Sequence, residues 1–283
     1  MAISKPTRSS LLRGSTWFRV VERHFTHVDG NRWSKRVLPL VGTSIVVGSI
    51  VVTTSAHATT PSFSSQPADA IVAQARAAMT SAGSVSASGD GPLSIPGVGK
   101  VITRENDYTS ATSGSQVMTM TSAHLKSGIV LPSASVLDVG GQLFVDANAS
   151  FWSSFAGLTN VEAHGAANRW VQIQPSSDLY ALAAADLTMP SLLTDLFSSD
   201  HFHKGPVRTI DGVRAIAITY KNSGNDSGQA TCYVALGGQH LPVSVTIGGF
   251  SLRLRSWGET KEVTAPAGAV QLASLLPPSE SVT

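Results

Sequence analysis

Few side chains in this sequence are spaced so that they could do chemistry together. The closest pair is His201 and His203, which would share one face only if the chain were a strand at that point. The surrounding residues 198–205 (SSDHFHKG) are typical of a loop, with Asp200 as the one adjacent carboxylate and no cysteine nearby. A structural metal site needs three or four converging ligands. The sequence therefore favours a surface loop here over a metal site.

No catalytic arrangement is visible elsewhere. Cys232, the one cysteine, lies in the apolar run 230–236, which predicts a buried thiol rather than a nucleophile. The serines follow no Gly-x-Ser-x-Gly pattern, and the glycine pairs lack the context of a phosphate-binding loop. The acidic residues are spread singly, without a catalytic pair. We therefore expect no enzyme activity, no cofactor and no bound metal.

The net charge of +2 combines two unlike parts of the chain. Residues 1–36 contain eight Lys and Arg against Glu22 and Asp29, which gives a net charge of +6 and leaves −4 for the rest. A protein that binds nucleic acid presents a basic stripe to the phosphate backbone, and residues 37–283 offer none. Nucleic acid is therefore excluded as a partner.

Residues 37–58 (VLPLVGTSIVVGSIVVTTSAHA) contain no charged side chain and follow directly after Lys35 and Arg36. A basic start, an apolar stretch and small residues around Ala58 are the three parts of a secretory signal. Two fates remain open: cleavage after Ala58, or retention of 37–58 as a membrane anchor with residues 1–36 in the cytoplasm. Both predict export, either to the outer face of the cell membrane or into the medium.

Beyond the apolar segment the chain divides into a linker, one domain and a tail. Residues 59–67 are rich in Ser, Thr and Pro, a composition typical of an extended tether. The domain is predicted to span residues 68–267. Residues 268–283 belong to a stretch without periodicity that begins after Pro266, and they are expected to form a flexible tail.

Most of the domain is predicted to be β-structure. An Ala-rich helix over residues 67–79, ended by Gly83, precedes short alternating runs separated by Gly, Asn, Asp and Pro, which is typical of an antiparallel meander. The predicted strands are Ser84–Gly89, Gly99–Asn106, Tyr108–Ser113, Gln116–Ser122, His124–Leu131, Ser135–Asp138, Gln142–Asp146, Asn168–Ile173, Val207–Ile210, Val213–Lys221, Gln229–Leu236, Pro242–Ile247, Phe250–Trp257 and Val263–Ala265.

Short helical pieces are predicted between the two groups of strands. They cover residues 148–157, Ser177–Asp186 and Pro190–Phe197. Pro190 suits the first turn of a helix, and the leucines that follow it form an apolar face. The sequence therefore predicts a β-rich domain with helices inserted in its middle.

The order of these features resembles the LppX and LprG lipoproteins of mycobacteria and related actinobacteria, which share a half-barrel fold with the periplasmic lipoprotein carrier LolA. The resemblance covers residues 67–267 and rests on the order of several short motifs. These motifs are Ser84–Asp90 after the first helix, Gly141–Ala147 followed by Phe151-Trp152, Asn168–Ile173, His240–Val245, and Ser256–Glu259 leading into Val263–Pro266.

The resemblance implies an α+β fold in which a strongly curved antiparallel β-sheet, a half-barrel, wraps around helices. It also implies that a lipid or lipidated glycan binds in an apolar cavity between sheet and helices. The side chains that would line this cavity are Phe144, Phe151, Trp152, Phe155, Leu192, Leu193, Leu196 and Phe197. Filling an ordinary core is the alternative role for the same residues.

The sequence departs from this family at the membrane anchor. Family lipoproteins carry a lipobox that ends in cysteine, whereas Ser55–Ala58 stand at that place here. No lipid can be attached without the cysteine. The chain would then be secreted, or held in the membrane by residues 37–58.

Two functions remain open at this point. The first is a lipid or lipoglycan carrier of the cell envelope, which needs a continuous apolar cavity. The second is a membrane-tethered interaction or sensing module with a filled core and an unidentified protein partner, which needs an uncleaved segment 37–58. A secreted hydrolase is a third reading, and it needs polar side chains that converge in a cleft.

Overall fold

The computed structural model describes residues 62–276, except 96–98, 123–127, 185, 198, 200 and 222–228. The basic segment 1–36, the apolar segment 37–58 and most of the linker therefore lie outside the described residues. Within the described part, every helix is too short or too polar to cross a membrane.

Helix α1, Ala68–Ala82, confirms the helix predicted from the Ala-rich segment. The buried face is formed by side chains at helical spacing, Ile71, Val72, Ala75 and Met79. Gly83 then adopts the left-handed conformation with a φ of 73° and donates its N–H to the Met79 carbonyl at 3.0 Å. This geometry ends the helix, because glycine adopts a positive φ without steric cost.

Four shorter helices lie in the middle of the chain. They are α2 (Ala149–Phe155), α3 (Asn160–Ala166), α4 (Asp178–Ala183) and α5 (Met189–Leu196). Helices α2, α4 and α5 fall in the predicted helical pieces, whereas α3 was not predicted. It begins with a capping box, in which Thr159 accepts the Glu162 N–H and Glu162 accepts the Thr159 N–H at 2.7 Å.

Twelve strands of the described residues form one sheet. Their bounds are β1 Ser84–Ile95, β2 Gly99–Ser110, β3 Ser113–Thr121, β4 Ser133–Val139, β5 Gln142–Ala147, β6 Trp170–Ile173, β7 Phe202–Ile210, β8 Val213–Lys221, β9 Gln229–Ala235, β10 Pro242–Ile247, β11 Phe250–Arg255 and β12 Val270–Gln271. Two 3₁₀ turns, Phe63–Ser65 and Leu272–Ser274, complete the regular structure of the described residues.

The strand order is β12-β6-β5-β4-β3-β2-β1-β11-β10-β9-β8-β7. Two antiparallel meanders, β1–β6 and β7–β11, are joined where β1 pairs with β11, and among the strand pairs of the described residues only β12–β6 is parallel. The sheet is large, curved and unclosed, with the helices on one face. The expected fold class, α+β with a strongly curved antiparallel sheet around helices, is confirmed.

The two faces of the sheet differ in composition. Alternation along β2, β3 and β4 places Val101, Met118 and Val136 on the face that contacts the helices, which we call the inner face. Arg104 and Thr119 lie on the outer face. The helices therefore bury the apolar side of the sheet.

The inner face carries two apolar clusters. Cluster A joins β1–β6 to α2, α3 and α4 through Leu93, Val101, Met118, Met120, Ala134, Val136, Leu143, Val145, Ala147, Phe151, Trp152, Phe155, Ala163, Ala166, Val171, Ile173, Leu179, Ala183, Leu187 and Phe250. Cluster B joins β8–β11 to α1 and α5 through Ile71, Val72, Ala75, Met79, Val85, Met189, Leu192, Leu196, Phe197, Ile216, Ile218, Tyr220, Ala230, Cys232, Val234, Val245 and Leu254. Each group of helices thus covers its own half of the sheet.

The chain after β11 is tied to the outer side of the first meander. The Ser84 hydroxyl donates to the Glu259 carbonyl at 2.8 Å, and the Lys261 N–H donates to the Tyr108 hydroxyl at 2.9 Å. At its end, Val270 pairs in parallel with Val171 of β6. We call residues 256–275 the strap.

Two strand predictions were wrong, and one was too short. Gly99–Asn106 lies within β2, but Tyr108–Ser113 is not a separate strand, because Asp107 pairs on both sides, with Ala87 and Gln116, and β2 continues to Ser110. No strand forms at Val263–Ala265, which belongs to the strap.

The other corrections concern segments expected to lack regular structure. Phe202 begins β7, so the residues around His203 are not the expected loop, although His203 is exposed and pairs with Thr219. Part of the stretch after Pro266 forms β12 and a 3₁₀ turn. Residues 128–131 of the predicted strand His124–Leu131 form no strand, and its first residues lie outside the described part.

Candidate functional site

The aromatic side chains of α2 lie within cluster A. Asn148 starts the helix: its Oδ1 accepts the Phe151 N–H at 2.9 Å, and its Nδ2 donates to the Leu131 carbonyl at 2.8 Å. Phe151 and Trp152 are 0% exposed. The Phe151 ring lies edge-to-face with Trp152 and stacked with Phe155, at centroid distances of 5.7 and 5.1 Å. Three predicted lining residues are therefore brought together.

Four further predicted residues lie in or against cluster B. Leu192, Leu196 and Phe197 are buried, and Leu193 is partly buried at the margin. Arg76 of α1 donates a hydrogen bond to the Phe197 carbonyl, and its guanidinium lies 5.4 Å from the centre of the Phe197 ring. Helices α1 and α5 are therefore tied together at the end of α5.

Phe144 lies apart from the other seven predicted residues. It faces the outer side of β5, where its register partners are Leu137 and Gln172. It is buried but belongs to neither inner cluster. Phe144 therefore does not line a space between the inner face and the helices.

A line of polar side chains separates the two clusters on the inner face. Alternation along β2 puts four of them on that face, and β3 supplies the fifth. We call them the polar seam: Thr103, Glu105, Asp107, Thr109 and Gln116. Glu105 is 1% exposed and lies opposite Met118 of cluster A, whereas Asp107 lies opposite Ala87, which packs against cluster B. The seam thus touches both apolar regions.

The electrostatics of the seam disfavour negative charge. Burial raises the pKa of the Asp107 carboxyl well above its ordinary value, and the nearby Glu105 carboxylate raises it further. A side-chain hydrogen bond with Gln116 opposes this rise. Burial also raises the pKa of Asp138, the inner-face carboxyl of β4, although Asp138 accepts the Gly141 N–H at 2.8 Å.

The segment 186–188 closes over one end of the seam. The Thr109 hydroxyl donates to the Asp186 carbonyl at 2.9 Å, and Ser110 forms a parallel bridge with Thr188. The carbonyl oxygen of Leu187 fits against Gly114 so closely that a Cβ on Gly114 would lie 1.9 Å from it. Glycine is therefore required at this contact.

Several polar atoms of the inner face have no hydrogen-bond partner within the described part of the protein. They are the Thr103 hydroxyl, Gln116 Oε1, Asp107 Oδ1 and the Trp152 indole N–H, and all four are buried. A buried polar atom without a partner is costly, so each of these atoms calls for a partner outside the polypeptide, such as water, an ion or a ligand.

Two polar clefts lie on the opposite, outer side. The larger, of about 460 Å³, is bordered by Tyr108 and by Lys261 of the strap. The smaller, of about 320 Å³, is bordered by Arg104 and Arg253. Both are open to solvent and contain few apolar side chains, so they do not suit acyl chains.

The cysteine and the metal-ligating side chains are the remaining candidates for chemistry. Cys232 is fully buried, as the sequence predicted, and burial raises the pKa of its thiol to about 12. Across the described residues, no three His, Cys, Asp or Glu side chains are placed to hold a metal ion.

Sequence reasoning missed the polar seam. The sequence predicts separate strands on either side of Asp107 and acidic residues that are spread singly, so it does not group Glu105 with Asp107. Alternation gives no signal here, because Arg104, Asn106 and Tyr108, which stand between the residues of the seam, are polar as well.

The comparisons with known proteins yield similarities of shape. No protein-family model matches the chain, and no curated protein matches it. LprF from Mycobacterium bovis is 13% identical over 71% of this chain and 97% of its own, with a TM-score of 0.42. A LolA superfamily protein from Nitrosomonas europaea is 9% identical over 68% of this chain and 93% of its own, with a TM-score of 0.28.

A third solved structure is a putative outer membrane lipoprotein-sorting protein domain from Vibrio parahaemolyticus. It is 8% identical over 66% of this chain and 90% of its own, with a TM-score of 0.27. At these identities and TM-scores no function is transferred to this chain.

Proposed function

We propose that this chain is an exported cell-envelope protein that binds or carries a lipid or a lipidated glycan, without catalysing a reaction. The acyl chains would lie between the inner face of the sheet and the helices. Export rests on residues 37–58, which act either as a cleaved signal or as an anchor. The protein then works on the outer face of the membrane or in the medium.

This proposal rests on the short helices that cover the apolar clusters. We call helices α2, α3, α4 and α5 the roof. Helices α2, α3, α4 and α5 contain 7, 7, 6 and 8 residues. Helices of fewer than about 12 residues are unstable in isolation, so these four depend on the apolar side chains beneath them. The strands are held by their own hydrogen-bond ladders. The roof can therefore move while the sheet stays paired.

An acyl chain can replace the contacts that a moving helix gives up. Burying apolar surface contributes about 25 cal/mol per Å², whether that surface belongs to a side chain or to a lipid. The residues that would contact the chain are the seven predicted ones on the inner side, Phe151, Trp152, Phe155, Leu192, Leu193, Leu196 and Phe197. Methionines beside them, such as Met118 and Met120, adapt readily to a changing neighbour.

A second candidate is an interaction or sensing module with a filled core. The full burial of Phe151 and Trp152 favours it, because these side chains already complete cluster A without a ligand. In that case residues 37–58 would stay uncleaved and link the domain to the basic segment 1–36.

Quenching by bromine distinguishes the two candidates. We would mix the full chain with phospholipid whose acyl chains are brominated and record tryptophan fluorescence against the unbrominated lipid. Binding beneath the roof brings bromine to Trp152, so the lipid should quench its fluorescence. The variant Trp152→Phe should lose this quenching.

Trp170→Phe is the matched control, because Trp170 lies on the outer face of β6 beside Asp146. It should keep the quenching seen in the unchanged protein. Absence of quenching in the unchanged protein, or quenching that Trp152→Phe does not reduce, would reject lipid binding at cluster A and favour the filled core.

A further inference from the structure

Trp152 brings a polar group into the apolar cluster A. Its residue is 0% exposed, and its indole N–H has no hydrogen-bond partner within the described part of the chain. Trp257, by contrast, donates its indole N–H to the Pro242 carbonyl at 3.0 Å. A buried indole N–H ordinarily finds such a partner. Trp152 therefore calls for an acceptor from outside the polypeptide.

Thr103 supplies a second polar group at the margin of the same cluster. It is 1% exposed, and its hydroxyl is likewise without a partner among the described residues. On one side it pairs with Met120 of cluster A. On the other side it pairs with Gly91, where a Cβ would lie 2.7 Å from the ring of Phe250, also of cluster A. Apolar side chains therefore border this hydroxyl on both sides.

The start of helix α2 is fixed close to this end of strand β3. Asn148, which caps α2, accepts the Ser133 N–H at 3.3 Å, and Ser133 is the β4 partner of Thr119. Thr119 directly precedes Met120, and α2 contacts β4. The two polar groups thus lie in the same region, where α2 covers the inner face of β2, β3 and β4.

The two groups are complementary to an oxygen that accepts hydrogen bonds. An indole N–H can only donate, and a threonine hydroxyl can donate as well as accept. A carbonyl oxygen has two lone pairs and can accept from both donors. Acyl lipids carry this oxygen in the ester that joins each chain to the head group. An ether-linked chain has no carbonyl, and its ether oxygen is a weaker acceptor.

A water molecule is the alternative partner for these donors. A buried water commonly makes about three hydrogen bonds. The side chains of cluster A that surround Trp152 are apolar. These surroundings favour a ligand that offers one acceptor and covers the rest of the space with its own apolar part.

We propose that the indole N–H of Trp152 and the hydroxyl of Thr103 bind the ester carbonyl of an acyl lipid. The site selects ester-linked over ether-linked chains and fixes how deeply the chain enters. This proposal rests on the proposed function, since the chain must first enter beneath the roof. Its hydrocarbon part then lies against other side chains of cluster A, such as Met118 and Phe151.

Two phosphatidylcholines that differ only in the link to their chains test the site. One carries two saturated chains as esters, and the other carries chains of the same length as ethers. Their affinities for the full chain would be compared by competition against the brominated lipid. We expect the ester lipid to bind about tenfold more tightly, since leaving a buried donor unpaired costs roughly this factor.

The nuclear magnetic resonance signal of the Trp152 indole N–H gives a readout that packing alone would not produce. The signal would be recorded with isotope-labelled tryptophan and assigned by its absence in Trp152→Phe. It should move downfield with the ester lipid and much less with the ether lipid. Trp257 is the internal control, because its N–H is already bonded to Pro242 and should respond equally to both lipids.

The variant Thr103→Val keeps the shape of the side chain and removes the hydroxyl. It should reduce the preference for the ester lipid to about threefold, because one of the two donors is lost. The matched control is Thr119→Val, since Thr119 is exposed on the outer face of β3, and it should keep the full preference. Thermal unfolding establishes that each variant is folded.

The outcomes separate this proposal from the function on which it rests. Equal binding of the two lipids, with an unmoved Trp152 signal, would overturn the carbonyl site and leave lipid binding standing, with water as the partner of the donors. Binding of neither lipid would overturn both. If a variant does not fold, the comparison of the two lipids on the unchanged protein still decides the matter.

Discussion

Asp107 illustrates how the position of one residue sets its chemistry. The same side chain would be an ordinary carboxylate on the outer face of β2, one residue earlier or later. On the inner face, burial and the neighbouring Glu105 raise its pKa, and Gln116 is its hydrogen-bond partner on β3. The folded protein therefore holds a proton on Asp107 under conditions in which the unfolded chain has released it.

This difference predicts how stability depends on pH. The folded pKa of Asp107 lies above its ordinary value of 3.8. Between the ordinary pKa and the folded pKa, the folded state therefore binds more protons than the unfolded state. The stabilisation is complete at low pH and is lost as pH rises through this window, with a slope of at most about 1.4 kcal/mol per pH unit. The variant Asp107→Asn should lose this slope and be more stable than the unchanged protein at neutral pH.

Urea unfolding at a series of pH values checks this prediction. The raised pKa of Asp138 contributes in the same direction and stays in both proteins. The lowered pKa values of the exposed Glu162 and Asp211 act in the opposite direction and also cancel in the comparison. Parallel pH profiles for the variant and the unchanged protein would contradict the position assigned to Asp107.

The elements of this fold could be predicted to different degrees. Helix α1 and strands such as β8 and β10 follow from local spacing and turn residues, because their pattern is regular and their ends carry Gly, Asn or Pro. Helix α3 was missed although Thr159 and Glu162 form a capping signature, since its short apolar face, Ala163 and Ala166, gives a weak periodic signal. Neither the strap nor the β12–β6 pair could be predicted, because both depend on contacts distant in sequence.

The candidate site was predicted only where its side chains follow a local periodic pattern. Apolar side chains on α2 and α5 are visible as periodic patterns, so their burial could be expected. Alternation with Leu143 and Val145 also indicates the outward direction of Phe144, although the resemblance places its side chain with the others. The seam depends on strand register across β1, β2 and β3, which the sequence does not specify directly.

The contact between strand β3 and segment 186–188 gives a prediction at the level of elements. A Cβ at position 114 would overlap the Leu187 carbonyl oxygen, so Gly114→Ala must displace the segment. We expect a loss of about 1–3 kcal/mol in the free energy of unfolding. Chemical denaturation measures it.

Gly165→Ala is the matched control. Gly165 lies in helix α3, and no atom is within 4 Å of its added Cβ. Alanine in a helix is more stable than glycine, so this variant should gain about 0.5–1 kcal/mol. Equal effects of the two substitutions would mean that segment 186–188 does not rest on β3 as described.

The whole molecule combines a sheet held by strand pairing with short helices whose stability depends on the apolar clusters beneath them. In the described residues, twelve strands form one curved sheet, and the strap runs from the outer side of β1 and β2 to β6, where its strand β12 forms the edge of the sheet. The short helices rest mainly on the apolar clusters, with a few hydrogen bonds besides, such as the one from Asn148 to the Leu131 carbonyl. This division would let a lipid enter under the roof without loss of strand pairing.

Native mass spectrometry tests that claim most directly. The full chain would be produced in a mycobacterial host, purified without denaturation, weighed, and weighed again after extraction with organic solvent. We predict an added mass in the range of a two-chain lipid that disappears on extraction and is recovered in the solvent. A mass equal to the polypeptide alone, unchanged after incubation with lipids from the same host, would contradict lipid binding.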